Sequence, residues 1–103
     1  MELQKDILEY ISQALMTTDE TISVAESVTS GSLQLAFSQM PNASLFYKGG
    51  ITAYTLPMKV KLLNVNRAEA EQCDCVSENI AETMALQIAK LYETDWSIAT
   101  TGY

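Results

Sequence analysis

Ser27, Thr29 and Ser30 lie in the run Val24-Ala25-Glu26-Ser27-Val28-Thr29-Ser30-Gly31. Downstream, Lys48-Gly49-Gly50-Ile51-Thr52-Ala53-Tyr54-Thr55-Leu56-Pro57-Met58-Lys59 supplies lysines, and the chain has no histidine. Serine paired with lysine is one of the few ways to make a nucleophile without His. The strand-like Thr21-Ile22-Ser23-Val24 feeds into the small residues, and a helix opens at about Leu33. Where a strand hands over to a helix, backbone N–H groups lack helical partners and attract an anion. Two chemistries therefore compete for this segment: nucleophilic attack by Ser27, or binding of a phosphate.

Each residue also has a structural alternative. Ser27 at a strand end attacks a carbonyl or merely caps a backbone group. Lys59 falls in the first turn of a helix, where the dipole disfavours a cation. It is either a solvated surface lysine or a base whose pKa is lowered by the helix end and by Lys48 or Lys61. Glu26 precedes Ser27 in the strand and should point to the opposite face. There it orders neighbouring N–H groups or is a plain surface carboxylate. Tyr54 donates to a substrate or packs at a strand end.

Hydrophobic periodicity supplies the elements that must position these residues. Leu3, Ile7, Ile11, Ala14 and Leu15 predict a helix over about 3–16. Strand one follows at about 21–25. A helix from near Ser30 carries Leu33, Ala36 and Phe37 inward and stops before Pro41-Asn42. Leu45-Phe46-Tyr47 reads as a short extended piece, and Gly50–Tyr54 as a second strand. Pro57 suits the first turn of a helix running to Leu63. Asn66 and Glu69 resemble a capping box. Ser77 caps a helix over about 78–92 with a buried stripe of Ile80, Met84, Ile88 and Leu91. Trp96–Thr100 is a third strand. Alternating helices and strands indicate an α/β sandwich in one domain over 1–103.

Composition narrows the function. The chain has 103 residues, six Lys+Arg and a net charge of −7. That balance argues against a basic nucleic-acid-binding face. The polar start has no signal-peptide core, and no apolar run approaches the roughly 20 residues that cross a bilayer. Cys73 and Cys75, without another Cys or any His, are too few for a structural zinc site. They read as reduced thiols of a cytosolic protein, with a redox pair or shared metal as the alternative. No metal or cofactor is expected.

Ala25-Glu26-Ser27-Val28-Thr29-Ser30-Gly31 resembles the A-E-S-C-T-G-G signature of the CinA C-terminal domain family. Lys48–Tyr54 followed by Lys59 is similar to its G-G-x-x-x-Y-S-N-x-x-K segment. Val76-Ser77-Glu78 and Ile98–Gly102 look like its A-V-S-E and A-V-T-G-I-A-G-P segments, in the family's order. The resemblance implies a three-layer α/β/α fold and hydrolysis of nicotinamide mononucleotide to nicotinic acid mononucleotide and ammonia. It makes Ser27 the nucleophile and Lys59 its base, within about 3–5 Å of each other, with Tyr54 and Thr101 assisting. Glu26, Thr29, Ser30, Gly31, Gly49 and Gly50 would form the substrate-binding backbone.

Val28 stands where the family has Cys, Ser30 where it has Gly, and Leu56-Pro57-Met58 where it has polar residues. The family pattern continues past Tyr103 with a glycine-rich loop, a strand, an arginine and a helix. The expectation is therefore an incomplete sheet, weak or absent turnover, and self-association through the uncovered edge. The alternative is a non-catalytic module that binds a nucleotide or phosphate, or only self-associates.

Overall fold

The computed structural model describes residues 4–102. Helix α1 (Lys5–Thr18) leads into β1 (Ile22–Glu26), then α2 (Ser32–Ser38), a short 3₁₀ turn (Ala43–Leu45) and β2 (Tyr47–Thr52). Helices α3 (Leu56–Leu63), α4 (Arg67–Cys73) and α5 (Glu78–Tyr92) precede β3 (Trp96–Ala99). The three strands form one parallel sheet in the order β2-β1-β3. Every residue of the central β1 is buried, as a parallel strand covered on both faces must be.

Side-chain alternation along β1 divides two cores. Ile22 and Val24 pack with Leu8 and Leu15 of α1, Leu33 and Phe37 of α2, and Phe46. Ala25 packs with Leu63 of α3, Ala70 of α4, and Ile80, Met84 and Ile88 of α5. The result is a three-layer α/β/α arrangement with α1 and α2 on one face and α3, α4 and α5 on the other.

Several sequence expectations hold. Asn66 Oδ1 accepts the Glu69 N–H at 2.9 Å, and Ser77 Oγ accepts the Ile80 N–H at 3.1 Å. Others need correction. Leu3 lies outside the described residues, and Ile7 is 54% exposed; Leu8, Ser12 and Leu15 form the buried stripe of α1. The rotation is tolerated because the Ser12 hydroxyl donates to the Leu8 carbonyl at 2.8 Å, satisfying its polarity within the helix. The second strand starts at Tyr47 rather than Gly50, so Gly49 and Gly50 lie inside it. Of the expected extended Leu45–Tyr47, only Tyr47 is extended; Leu45 ends the 3₁₀ turn and Phe46, which follows it, is fully buried. In α5, Leu91 is exposed and Tyr92 turns inward, its hydroxyl donating to the Gly50 carbonyl at 3.1 Å.

Candidate active site at the carboxyl edge of the sheet

Ser27 follows directly on the last residue of β1, and Ala53 and Tyr54 follow directly on β2. Glu26 pairs with Thr52, and the Ala53 N–H donates to the Glu26 carbonyl at 2.9 Å. Thr100 continues β3 alongside, its N–H donating to the Ala25 carbonyl at 2.9 Å. All three segments thus leave the sheet at its carboxyl edge, where open α/β sheets characteristically bind ligands.

Lys59 lies in the first half of α3, at a position that the helix turns inward with Leu63 four residues on. It is only 2% exposed. Its Nζ donates to the Tyr54 carbonyl at 2.8 Å, and no acidic side chain forms an ion pair with it among the described residues. Burial pushes its pKa below the usual lysine value, partly offset by the nearby Cys75 thiol. The cause is desolvation, not repulsion from Lys48 or Lys61 as the sequence suggested, and the solvated-surface reading falls with it. Ser27 is buried too. It is next after Ser23 and Ala25 in the series facing α5, the layer that also contains α3. Ser27 and Lys59 therefore share an edge and a layer, without a direct hydrogen bond between them among the described residues.

Glu26 belongs to the opposite series and is fully buried. Its Oε1 accepts the Leu33 N–H at 2.8 Å and its Oε2 the Gln34 N–H at 3.0 Å. The Thr29 hydroxyl donates to Oε1 at 2.6 Å. Burial raises the carboxyl pKa, but these hydrogen bonds outweigh it and hold the pKa below the usual carboxylate value. Glu26 is therefore no surface carboxylate. It is the anion that the start of α2 attracts, supplied by the chain itself. Two of the N–H groups that the sequence offered to a phosphate are occupied. Those of Val28, Thr29 and Gly31 have no hydrogen-bond partner among the described residues.

The turn between Ser27 and α2 depends on its backbone. Ser30 N–H donates to the Ser27 carbonyl at 3.0 Å. Ser30 has φ +51° and Gly31 φ +97°. Both are left-handed, a region natural for glycine and strained for serine. Where the family signature has glycine, this chain holds a side chain in a glycine conformation.

The remaining expected residues separate. Tyr54 is 65% exposed, so it does not pack at a strand end; its carbonyl is what anchors Lys59. Gly49 and Gly50 pair with Ser23 and Val24, back from the edge. A Cβ on Gly49 would meet the Tyr92 ring at 2.7 Å, and one on Gly50 the Val24 carbonyl at 2.4 Å. Their small size serves the contacts of β2 with α5 and β1. The Thr101 hydroxyl donates to the Cys75 carbonyl at 2.6 Å.

Thr100 is the residue the sequence reading missed. Its Oγ1 lies 2.8 Å from Thr29 Oγ1 and accepts the Ser27 N–H at 3.3 Å. Alternation along the extended chain puts neighbouring Thr100 and Thr101 on opposite faces. That periodicity, counted from the inward Ile98, was the available signal.

A cavity of about 430 Å³ lies elsewhere. It is an apolar groove between α1 and β3 lined by Tyr10, Ile11, Leu15, Ile22, Trp96 and Ile98. The buried amine of Lys59 and the buried Ser27 lie instead at the carboxyl edge. No cluster of three or more metal-ligating side chains occurs among the described residues. No helix among them is long and apolar enough to cross a membrane.

The sequence and the fold both find relatives. Residues 4–103 match the model of the CinA C-terminal domain. A CinA-like protein of Rippkaea orientalis is 40% identical over 89% of this chain, and one of Synechocystis is 41% identical over 93%. The chain spans 22% and 23% of the length of these curated relatives. Among solved structures, a competence-damaged protein (CinA) superfamily protein from Escherichia coli superposes with a TM-score of 0.90. It shares 30% identity, over 100% of this chain and 63% of that one. The competence damage-inducible protein A of Klebsiella pneumoniae gives a TM-score of 0.91 at 26% identity, over 95% of this chain and 61% of its own. In motif, in sequence over nearly its whole length and in fold, the chain belongs to the CinA C-terminal domain family.

Proposed function

We propose that the carboxyl edge is a hydrolytic site for the carboxamide of a pyridine mononucleotide, with Ser27 as nucleophile and Lys59 as base. The observation that carries this reading is Lys59 itself. It is an amine almost wholly removed from water, without a carboxylate counter-ion, in the same layer and at the same edge as a buried serine. Burial lowers its pKa, as a base that must be neutral requires.

In the proposed cycle, Lys59 Nζ takes the Ser27 hydroxyl proton as Oγ bonds to the amide carbon. The resulting oxyanion is held by N–H groups without intramolecular partners, those of Val28 and Thr29 being at hand. Collapse breaks the C–N bond, and the proton on Lys59 passes to the departing nitrogen, giving ammonia and an ester on Ser27. A water then attacks the ester, losing its proton to Lys59 and returning the serine with release of the carboxylate.

Turnover is expected to be low. Lys59 Nζ must leave the Tyr54 carbonyl to reach the serine, Glu26 already fills the start of α2, and the Ser30 side chain narrows the backbone approach. A second reading, mononucleotide or phosphate binding without hydrolysis, is favoured by the unpartnered N–H groups of Val28, Thr29 and Gly31. Ammonia release from nicotinamide mononucleotide, compared with Ser27→Ala and Lys59→Met, decides between them. A slow release abolished by both substitutions supports the hydrolytic site. No release, with calorimetric binding of the mononucleotide intact, supports the second reading.

A further inference from the structure

The hydrogen-bond chain behind Ser27 has a fixed direction. The ionised Glu26 can only accept, so the Thr29 hydroxyl spends its proton on Oε1 at 2.6 Å. Thr29 Oγ1 must then accept from Thr100 at 2.8 Å. With its own proton committed, Thr100 Oγ1 is an acceptor for the Ser27 N–H at 3.3 Å. On the other side of the residue, the Ser27 carbonyl accepts the Ser30 N–H at 3.0 Å. Both backbone groups of Ser27 are thus held. Its side-chain hydroxyl makes no hydrogen bond among the described residues, and it is not a buried unsatisfied atom, since no buried side-chain oxygen or nitrogen among them lacks a partner.

We propose that Thr100 is the positioning residue of the Ser27 turn, tying the nucleophile's amide through Thr29 to the buried carboxylate of Glu26. The inference rests on the reading of Ser27 as nucleophile. It assigns a role to a residue for which the resemblance implied none, and it separates Thr100 from its neighbour Thr101, whose hydroxyl serves the Cys75 carbonyl on the other face. Holding the Ser27 N–H also takes it out of the set of oxyanion donors, leaving that task to the residues after it. Thr100 need not touch a substrate; it acts through the orientation of Ser27.

The test compares the 103-residue protein with Thr100→Val, which keeps the shape and removes the hydroxyl, and Thr100→Ser, which keeps the hydroxyl. Amide hydrogen exchange followed by NMR reads the link directly. Exchange at the Ser27 N–H should accelerate by about tenfold or more in Thr100→Val and return near the parent rate in Thr100→Ser. The Leu33 N–H, held by Glu26 without Thr100, should keep its protection, which a general loosening of the fold would not allow. In parallel, labelling of Ser27 by a fluorophosphonate should slow by about tenfold in Thr100→Val and recover in Thr100→Ser. Unchanged Ser27 exchange in Thr100→Val overturns the link, and changed exchange with unchanged labelling overturns its positioning role. If the parent protein's Ser27 does not react at all, the nucleophile reading fails, while the exchange pattern still decides whether Thr100 orders the turn.

Discussion

Ser30 holds a side chain at φ +51°, beside the glycine at φ +97° that starts α2. For an L-residue the left-handed region costs about 1–2 kcal/mol, against about 0.5–1 kcal/mol of extra chain entropy lost by glycine. Ser30→Gly should therefore stabilise the protein by about 0.5–1 kcal/mol, read as a higher urea midpoint at unchanged m-value. An unchanged or lower midpoint would show that the Ser30 side chain contributes contacts worth as much as its strain. Lys59 presents the opposite case, a residue kept at a cost. Its lowered pKa means that, between that value and the unfolded value of about 10.4, the unfolded chain binds more protons. Stability should rise with pH through that window and be penalised below it. Lys59→Met keeps the volume and removes the charge. It should leave stability unchanged at neutral pH or raise it by about 1–2 kcal/mol, flatten the alkaline slope, and abolish reaction at Ser27. A strongly destabilised Lys59→Met would mean that the bond to the Tyr54 carbonyl outweighs desolvation.

Two elements depend on one residue each. Helix α2 has seven residues, too few to be stable on propensity, and its first N–H groups are satisfied by Glu26 across the turn. Glu26→Gln places an amide donor against backbone donors and should cost about 2 kcal/mol. The sign of the pH effect follows from the lowered pKa. The stabilisation is present above the unfolded carboxylate value of about 4.3 and is lost as pH falls through the lower folded value. Acid titration of stability should show this loss in the parent and not in Glu26→Gln. Strand β2 depends on Gly49, at φ +134° with the Tyr92 ring where a Cβ would sit. Gly49→Ala should destabilise by more than about 2 kcal/mol. Adding Tyr92→Ala should relieve only the steric part, because the backbone conformation remains; thermal melts of the two variants measure both contributions.

The molecule as a whole exposes 6318 Å², against the roughly 5,800 Å² that mass scaling gives a monomer of this size. Strand β3 is an edge of the sheet, and beside it the groove against α1 is lined mainly by apolar side chains, with Trp96 56% exposed. An open parallel edge next to an apolar groove offers unpaired backbone groups and apolar surface to another strand. A second copy meeting it edge to edge would bury both β3 strands in one continuous sheet. Light scattering at micromolar concentration should therefore report a dimer or larger species, and Trp96→Lys should shift it towards monomer while leaving the fold intact. A monodisperse monomer for the parent protein would refute the pairing.

The sequence by itself determined the order of helices and strands, the caps at Asn66 and Ser77, the α/β class and the family, because these rest on local chemistry and on residue types at short spacings. Periodicity was least reliable where a polar residue could satisfy itself locally, as Ser12 does, or where a glycine pair sat inside a strand rather than at its end. The tertiary structure decided which face each side chain of the site meets. Glu26 became a helix cap and Lys59 a desolvated amine only when α2 and α3 packed onto opposite faces of β1. The split of Thr100 from Thr101 likewise depends on β3 pairing beside β1. The bond between Ser27 and Thr100 joins residues 73 positions apart, and spacing along a chain does not encode it.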